Sequence, residues 1–224
     1  MIQDIWPKHL DNQYKNLKPG NEDTVFYFQG SSLLARPSGH FNSQNPEENV
    51  LIYPQYDEFV QGIKSSYGDK AVDNFEFIYL LSIDEEHFFL ARKTGSLERG
   101  TFLGEMADSA VHKDMYSFVR GYEFIGVDSF RKAQPREHAY AAITAFHLYG
   151  WYRDNHFCGR CGKPLKHDDK QRMLRCDCCK NMVFPKICPA VIVAVTDKDR
   201  ILLTKYAGRT YRTVSYTHLT LPTN

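Results

Sequence analysis

The sequence predicts an α+β chain, β-rich in its N-terminal part and organised around cysteines further on. Three observations carry that prediction. Short runs rich in aromatic and β-branched residues recur over roughly the first 131 positions, as half-buried strands do. Residues 136–154 then run without proline, with apolar side chains at helical spacing. Immediately afterwards six cysteines fall within residues 158–188, and none precedes them.

Composition sets the bounds. The chain has 224 residues, enough for one sizeable core or two small ones. Its 28 Lys and Arg against 27 Asp and Glu leave a formal charge of +1, which argues against a protein built mainly for electrostatic nucleic-acid binding. Residues 1–10 carry Asp4, Lys8 and His9 and do not read as a secretory leader. The longest apolar run, residues 190–195, is far short of the ~20 residues that span a bilayer. A cytoplasmic location is the expectation.

The best strand candidates are residues 23–30 (DTVFYFQG), 50–53, 75–83 (FEFIYLLSI) and 87–92 (HFFLAR). Residues 36–48, rich in Pro, Gly, Ser and Asn, read as a loop, and residues 100–106 as a turn-flanked apolar segment. Pro135 suits a helix start. Beyond it Ala141, Ala145, Leu148 and Tyr152 share one stripe, and Tyr140, Ile143, His147 and Trp151 the next. The spacing predicts one helix of about five turns, apolar over much of its surface and suited to packing between neighbouring units. Residues 190–195 and 201–206 (ILLTKY), joined by the turn Asp197-Lys198-Asp199-Arg200, predict a hairpin.

Cys158-Gly-Arg-Cys161 and Cys176-Asp-Cys-Cys179 are two C-x2-C pairs with 14 residues between them. Each pair can turn two thiolates towards one ion, and Gly162 permits the positive φ that closes such a turn. Four thiolates form a closed tetrahedral set that suits Zn2+, or iron, in a structural role with no open position. Clustering of this kind in a cytosolic-looking chain reads as metal binding rather than as a disulfide framework. The spacing selects Cys179 over Cys178. Cys188 reads as a small buried apolar residue, and His156 and His167 as surface or supporting histidines rather than ligands.

The flanks are more specific than the cysteines. Phe157-Cys-Gly-Arg-Cys-Gly162, Arg175-Cys-x-x-Cys179 and Phe184-Pro-Lys-Ile-x-Pro189-Ala-Val-Ile-Val193 together resemble the NADH pyrophosphatase family of Nudix hydrolases. The resemblance is dense over residues 129–212 and weak before them. It implies a β-rich N-terminal domain (1–134), a connecting helix (135–156), a zinc ribbon (157–186) and the opening β-hairpin of an incomplete Nudix domain (187–212). It further implies hydrolysis of the pyrophosphate of NADH or NAD+ to nicotinamide mononucleotide and AMP, with Mg2+ or Mn2+ held by glutamates of the Nudix box. NAD-capped RNA is a further substrate in some members, and members generally form homodimers. Phe184 resembles a family aromatic that stacks on a base, the alternative being an aromatic that anchors the ribbon. Arg131 resembles an arginine that contacts substrate across domains, the alternative being a solvated surface residue.

One departure is decisive for activity. No glutamate follows Glu137, so residues 138–224 hold no Nudix box. Residues 213–224 (TVSYTHLTLPTN) have four threonines, no Lys, Arg, Asp or Glu, and no helical or alternating pattern. They read as a non-native tail on a truncated chain. The competing reading is a zinc-ribbon module that binds nucleic acid or protein without catalysis, because Lys163, Lys166, Lys170, Arg172, Arg175, Lys180 and Lys186 make the ribbon locally basic.

Overall fold

The computed structural model describes residues 4–39, 50–94, 118–186 and 195–201. The chain divides into two compact units, Met1–Pro185 and Lys186–Asn224. The first is a mixed α+β body, as the sequence predicts at that level.

Seven strands form its main sheet: β1 (Leu10–Asp11), β2 (Thr24–Gln29), β3 (Ser32–Ser38), β4 (Val50–Ile52), β5 (Phe75–Ile83), β6 (Glu86–Lys93) and β7 (Glu123–Gly126). Their order is β1-β5-β6-β2-β3-β4, with β7 also pairing β3. All these pairs are antiparallel except β2 with β6. The register between β5 and β6 shifts between Tyr79 and Leu81, which leaves Leu80 as the extra residue of a bulge.

β1, the first part of β3 and β7 fall outside the expected strand runs, and two further segments differ from the sequence reading. Residues 36–38, expected in a loop, complete β3 and pair with β4. Residues 56–67, where no helix is expected, form helix α1 (Tyr56–Tyr67). Its buried set is only Phe59, Val60 and Ile63, too sparse a stripe to stand out in sequence. The structure shows what secures its start: the Glu58 carboxylate accepts from the Gln55 N–H at 3.2 Å and from the Tyr122 hydroxyl at 2.8 Å.

Strand alternation sorts the sheet into two faces. Phe26, Phe28, Ile78, Leu80, Phe88 and Leu90 face one core, and Val25, Tyr79, Phe89 and Ala91 the other, with Phe59 and Ile63 of α1. The first core is closed by helix α2 (Arg136–Asp154), which has the predicted extent. Ala139, Ala141, Ala142 and Ala145 are buried along it. Such small side chains let a helix axis lie close to a sheet. Leu148, Trp151 and Tyr152 fill the space at its far end. The Asn155 amide donates to the Trp151 carbonyl at 2.7 Å and ends the helix.

In the second unit β11 (Thr196–Asp197) pairs antiparallel with β12 (Arg200–Ile201), and Lys198 takes a φ of 54° in the turn. The expected strand segments at 190–194 and 202–206, Cys188, and residues 100–106 and 213–224 lie outside the described residues. Among the described residues no helix is long and apolar enough to cross a membrane.

Candidate metal centre

Three short strands follow α2 and form a second sheet in the order β10-β9-β8: β8 (Leu165–His167), β9 (Leu174–Cys176) and β10 (Met182–Val183). Two tight turns flank them, and the two are built alike. In the first, the Cys158 N–H donates to the Lys163 carbonyl at 2.7 Å and the Gly162 N–H to the Cys158 carbonyl at 2.8 Å. In the second, the Cys176 N–H donates to Asn181 at 2.9 Å and the Lys180 N–H to Cys176 at 3.0 Å. The closing residue has positive φ in both, 70° at Gly162 and 59° at Lys180. Glycine adopts that conformation freely, whereas lysine is strained by its Cβ. The sequence pointed to Gly162 but gave no sign that Lys180 does the same work.

These turns bring Cys158, Cys161, Cys176 and Cys179 together, with all four Sγ atoms within 4.8 Å of one another. The closest pairs are Cys158 with Cys179 at 3.5 Å and Cys161 with Cys176 at 3.4 Å. A tetrahedral ion with metal–sulfur bonds of about 2.3 Å has sulfur–sulfur edges of roughly 3.8 Å, so the four sulfurs fit one zinc ion. Backbone N–H groups favour the thiolate at two of the four sulfurs: the Arg160 N–H, 3.4 Å from Cys158 Sγ, lowers that thiol, and the Cys179 N–H lowers Cys176. Crowding by the neighbouring thiols, with burial, raises Cys161 and Cys179 against their own backbone N–H bonds, so a cation is needed to hold all four as thiolates. The Asn181 amide approaches Cys158 Sγ at 3.7 Å.

The remaining candidates stand apart from the cluster. Cys178 is exposed and is not in the converging set. His167 turns away: its Nε2 is 2.8 Å from the Tyr152 hydroxyl and its Nδ1 3.5 Å from that of Tyr14. It therefore supports the ribbon's contact with α2 and with the segment after β1 rather than the metal. Phe184 follows β10 and is 49% exposed, while Val183 beside it packs against the main core. The anchoring that the sequence allowed for Phe184 thus falls to Val183. Arg131 lies in the 3-10 turn Val127–Lys132. Arg172, counted among the basic ribbon residues, points inward and donates to the Leu80 carbonyl. Sequence reasoning missed that role because nothing local distinguishes an inward arginine from a solvated one.

No family model matches the chain. Curated relatives do. The chain is 38% identical over 55 residues to the NAD-capped RNA hydrolase NudC of Pseudomonas aeruginosa (strain LESB58), covering 25% of this chain and 20% of that protein. Its identity to the NAD-capped RNA hydrolase NudC of Salmonella typhi is 36% over 59 residues, 26% of this chain and 23% of that one. To the namesake of Pseudomonas putida (strain W619) it is 40% over 55 residues, 25% and 20%. At family level the chain resembles the NADH pyrophosphatases. It spans only 20–23% of the length of these relatives, so the likeness to NADH pyrophosphatases is one of a segment.

Proposed function

We propose that this chain is the zinc-ribbon-bearing part of an NAD(H) diphosphatase. The single observation that carries the reading is the convergence of four cysteines at C-x2-C spacing, inside flanks that resemble the NADH pyrophosphatases. Cys158, Cys161, Cys176 and Cys179 hold a structural zinc ion, which supplies folding energy to a segment too small to fold by burial alone. In this reading residues 1–134, 135–156, 157–186 and 187–212 are the N-terminal domain, connecting helix, ribbon and opening of the catalytic domain. The exposed ring of Phe184 is free to stack on a base of the dinucleotide, and Arg131 contacts substrate from the N-terminal side.

The reaction is cleavage of the pyrophosphate of NADH or NAD+ to nicotinamide mononucleotide and AMP. NAD-capped RNA is a second substrate class, in keeping with the names of the relatives. Mg2+ or Mn2+ serves the reaction through glutamates of a Nudix box, and residues 138–224 contain no glutamate. This chain by itself is therefore inactive. The working enzyme is a cytoplasmic homodimer.

The test is an NADH turnover assay with Mg2+. The chain as it stands yields no AMP, and a version extended by a Nudix box hydrolyses NADH. AMP formation by the unextended chain would overturn the assignment.

A second reading has one observation in its favour. Lys163, Lys170, Arg175 and Lys186 are exposed on the ribbon, as a nucleic-acid-binding module requires. Lys166 is less available, because its ammonium pairs with Asp177 at 2.6 Å. RNA binding that weakens steeply with salt, in a chain without turnover, would favour this module.

A further inference from the structure

The ribbon's metal end and its docking end lie on the same two strands. In the β8–β9 ladder Leu165 pairs with Cys176 and His167 pairs with Leu174. A thiolate ligand is thus two residues along the strand from the ribbon's main contact with the rest of the unit, roughly 7 Å at the usual strand rise.

The docking end is held by named groups. The imidazole of His167 meets Tyr152 of α2 at 2.8 Å and lies with its ring centre 5.1 Å from that of Tyr14. The Arg172 guanidinium donates to the carbonyl of Leu80, the bulge residue of β5, and sits 5.9 Å over the Tyr14 ring. Leu174 is 3% exposed within the larger core, and Leu165 and Val183 pack against it. Leu80 lies where β5 has lost its neighbour, since β1 pairs only with Ile83 and Ser82. Among the described residues no backbone hydrogen bond joins residues 12–20 to Phe75–Leu81. The ribbon thus reaches, through Arg172, the stretch of β5 beyond β1, which residues 14–17 flank without backbone pairing.

This joint is local. A polar cavity of about 380 Å³ opens beside it, between Tyr14, Glu76, Arg92 and His167. Strands of two and three residues do not hold themselves together in water without a core of their own. Here the turns at the cysteines have to do it.

We infer that metal binding in the ribbon closes the β5 edge of the N-terminal sheet, with His167 and Arg172 as the positioning residues that transmit it. With the four sulfurs bound, β8 and β9 keep their register and present both side chains to β5 and α2. Without the ion the short ladder frays, both side chains lose their placement, and the Leu80 carbonyl and Tyr152 hydroxyl open to water. The inference rests on the zinc reading above.

The experiment separates the two. Zinc content of the full chain is measured first, and less than one ion per chain removes the metal reading and this inference with it. Amide hydrogen exchange is then compared between zinc-loaded and chelator-stripped chain. Stripping accelerates exchange roughly tenfold in residues 75–83 and 148–154 and leaves residues 56–67 on the far face protected. Unchanged exchange at 75–83 and 148–154 after zinc loss overturns the coupling. So does loss of protection everywhere, α1 included, which would mark global unfolding. In a second arm, the Arg172→Lys variant carrying His167→Phe keeps its zinc and already shows fast edge exchange when loaded. A loaded variant with a fully protected edge denies these residues their role.

Discussion

The Nε2 atom of His167, on the ribbon, lies 2.8 Å from the hydroxyl of Tyr152, on helix α2. Burial raises the Tyr152 pKa, so the phenol keeps its proton, and the imidazole tautomer sets which of the two groups donates. Removing one partner strands the other. His167→Ala should cost about 1–3 kcal/mol and Tyr152→Phe a similar amount, with the double variant less destabilised than their sum. Urea denaturation of the four proteins gives the cycle, and strict additivity would show that the two groups do not interact.

The same imidazole makes stability depend on acid. Burial lowers the His167 pKa below its ordinary 6.5, with the Asp168 backbone and the Glu76 carboxylate opposing and Arg92 assisting. Burial also lowers His156, again with help from Arg92. The unfolded chain therefore takes up protons first. Stability is complete above about pH 6.5 and falls as pH drops from there through the lower folded values. Thermal melts between pH 7.5 and 5 should show the decline, shallower in His167→Gln. An identical acid slope in that variant would assign the loss to other groups.

Lys180 holds a glycine's conformation, with φ 59°. Its counterpart in the first turn is Gly162, at 70°. Lys180→Gly should relieve left-handed strain and raise stability by up to about 1 kcal/mol, once the greater freedom of glycine in the unfolded chain is counted. The melting temperature of the zinc-loaded protein reads this, and a fall would mean that the bond from Lys180 Nζ to the Asp177 carbonyl at 2.8 Å outweighs the strain.

Cys178 and Cys179 are neighbours with opposite fates. Cys179 belongs to the converging set and Cys178 is exposed outside it. Cys179→Ser should weaken zinc binding by well over tenfold, and Cys178→Ser should leave it unchanged. Competition with a chromophoric chelator measures both. Equal losses would mean that the turn can present either sulfur.

Much of the fold was legible where one element carries its own pattern. The helical stripe around Ala141, Ala145 and Leu148 marked α2 to its ends, and β5 matched its aromatic run. Helix α1 was not legible, because the burial of Phe59 and Ile63 depends on the sheet face they meet. Strand β3 (SLLARPS) is not legible either: its second half, Arg36, Pro37 and Ser38, reads as a loop, and only pairing with β4 makes it strand.

For the candidate site, the sequence by itself determined the four cysteines, because a C-x2-C turn is local chemistry and its spacing survives any fold. It likewise carried the family likeness and the lack of glutamate after Glu137. Only the tertiary structure decided that Lys180 closes the second turn, that His167 reaches Tyr152 and Tyr14, and that Arg172 covers Leu80. The last two join residues from 15 to 153 positions apart. Polar groups pair across such distances only when the cores around them have packed, and no local pattern records which side chain will then be facing which.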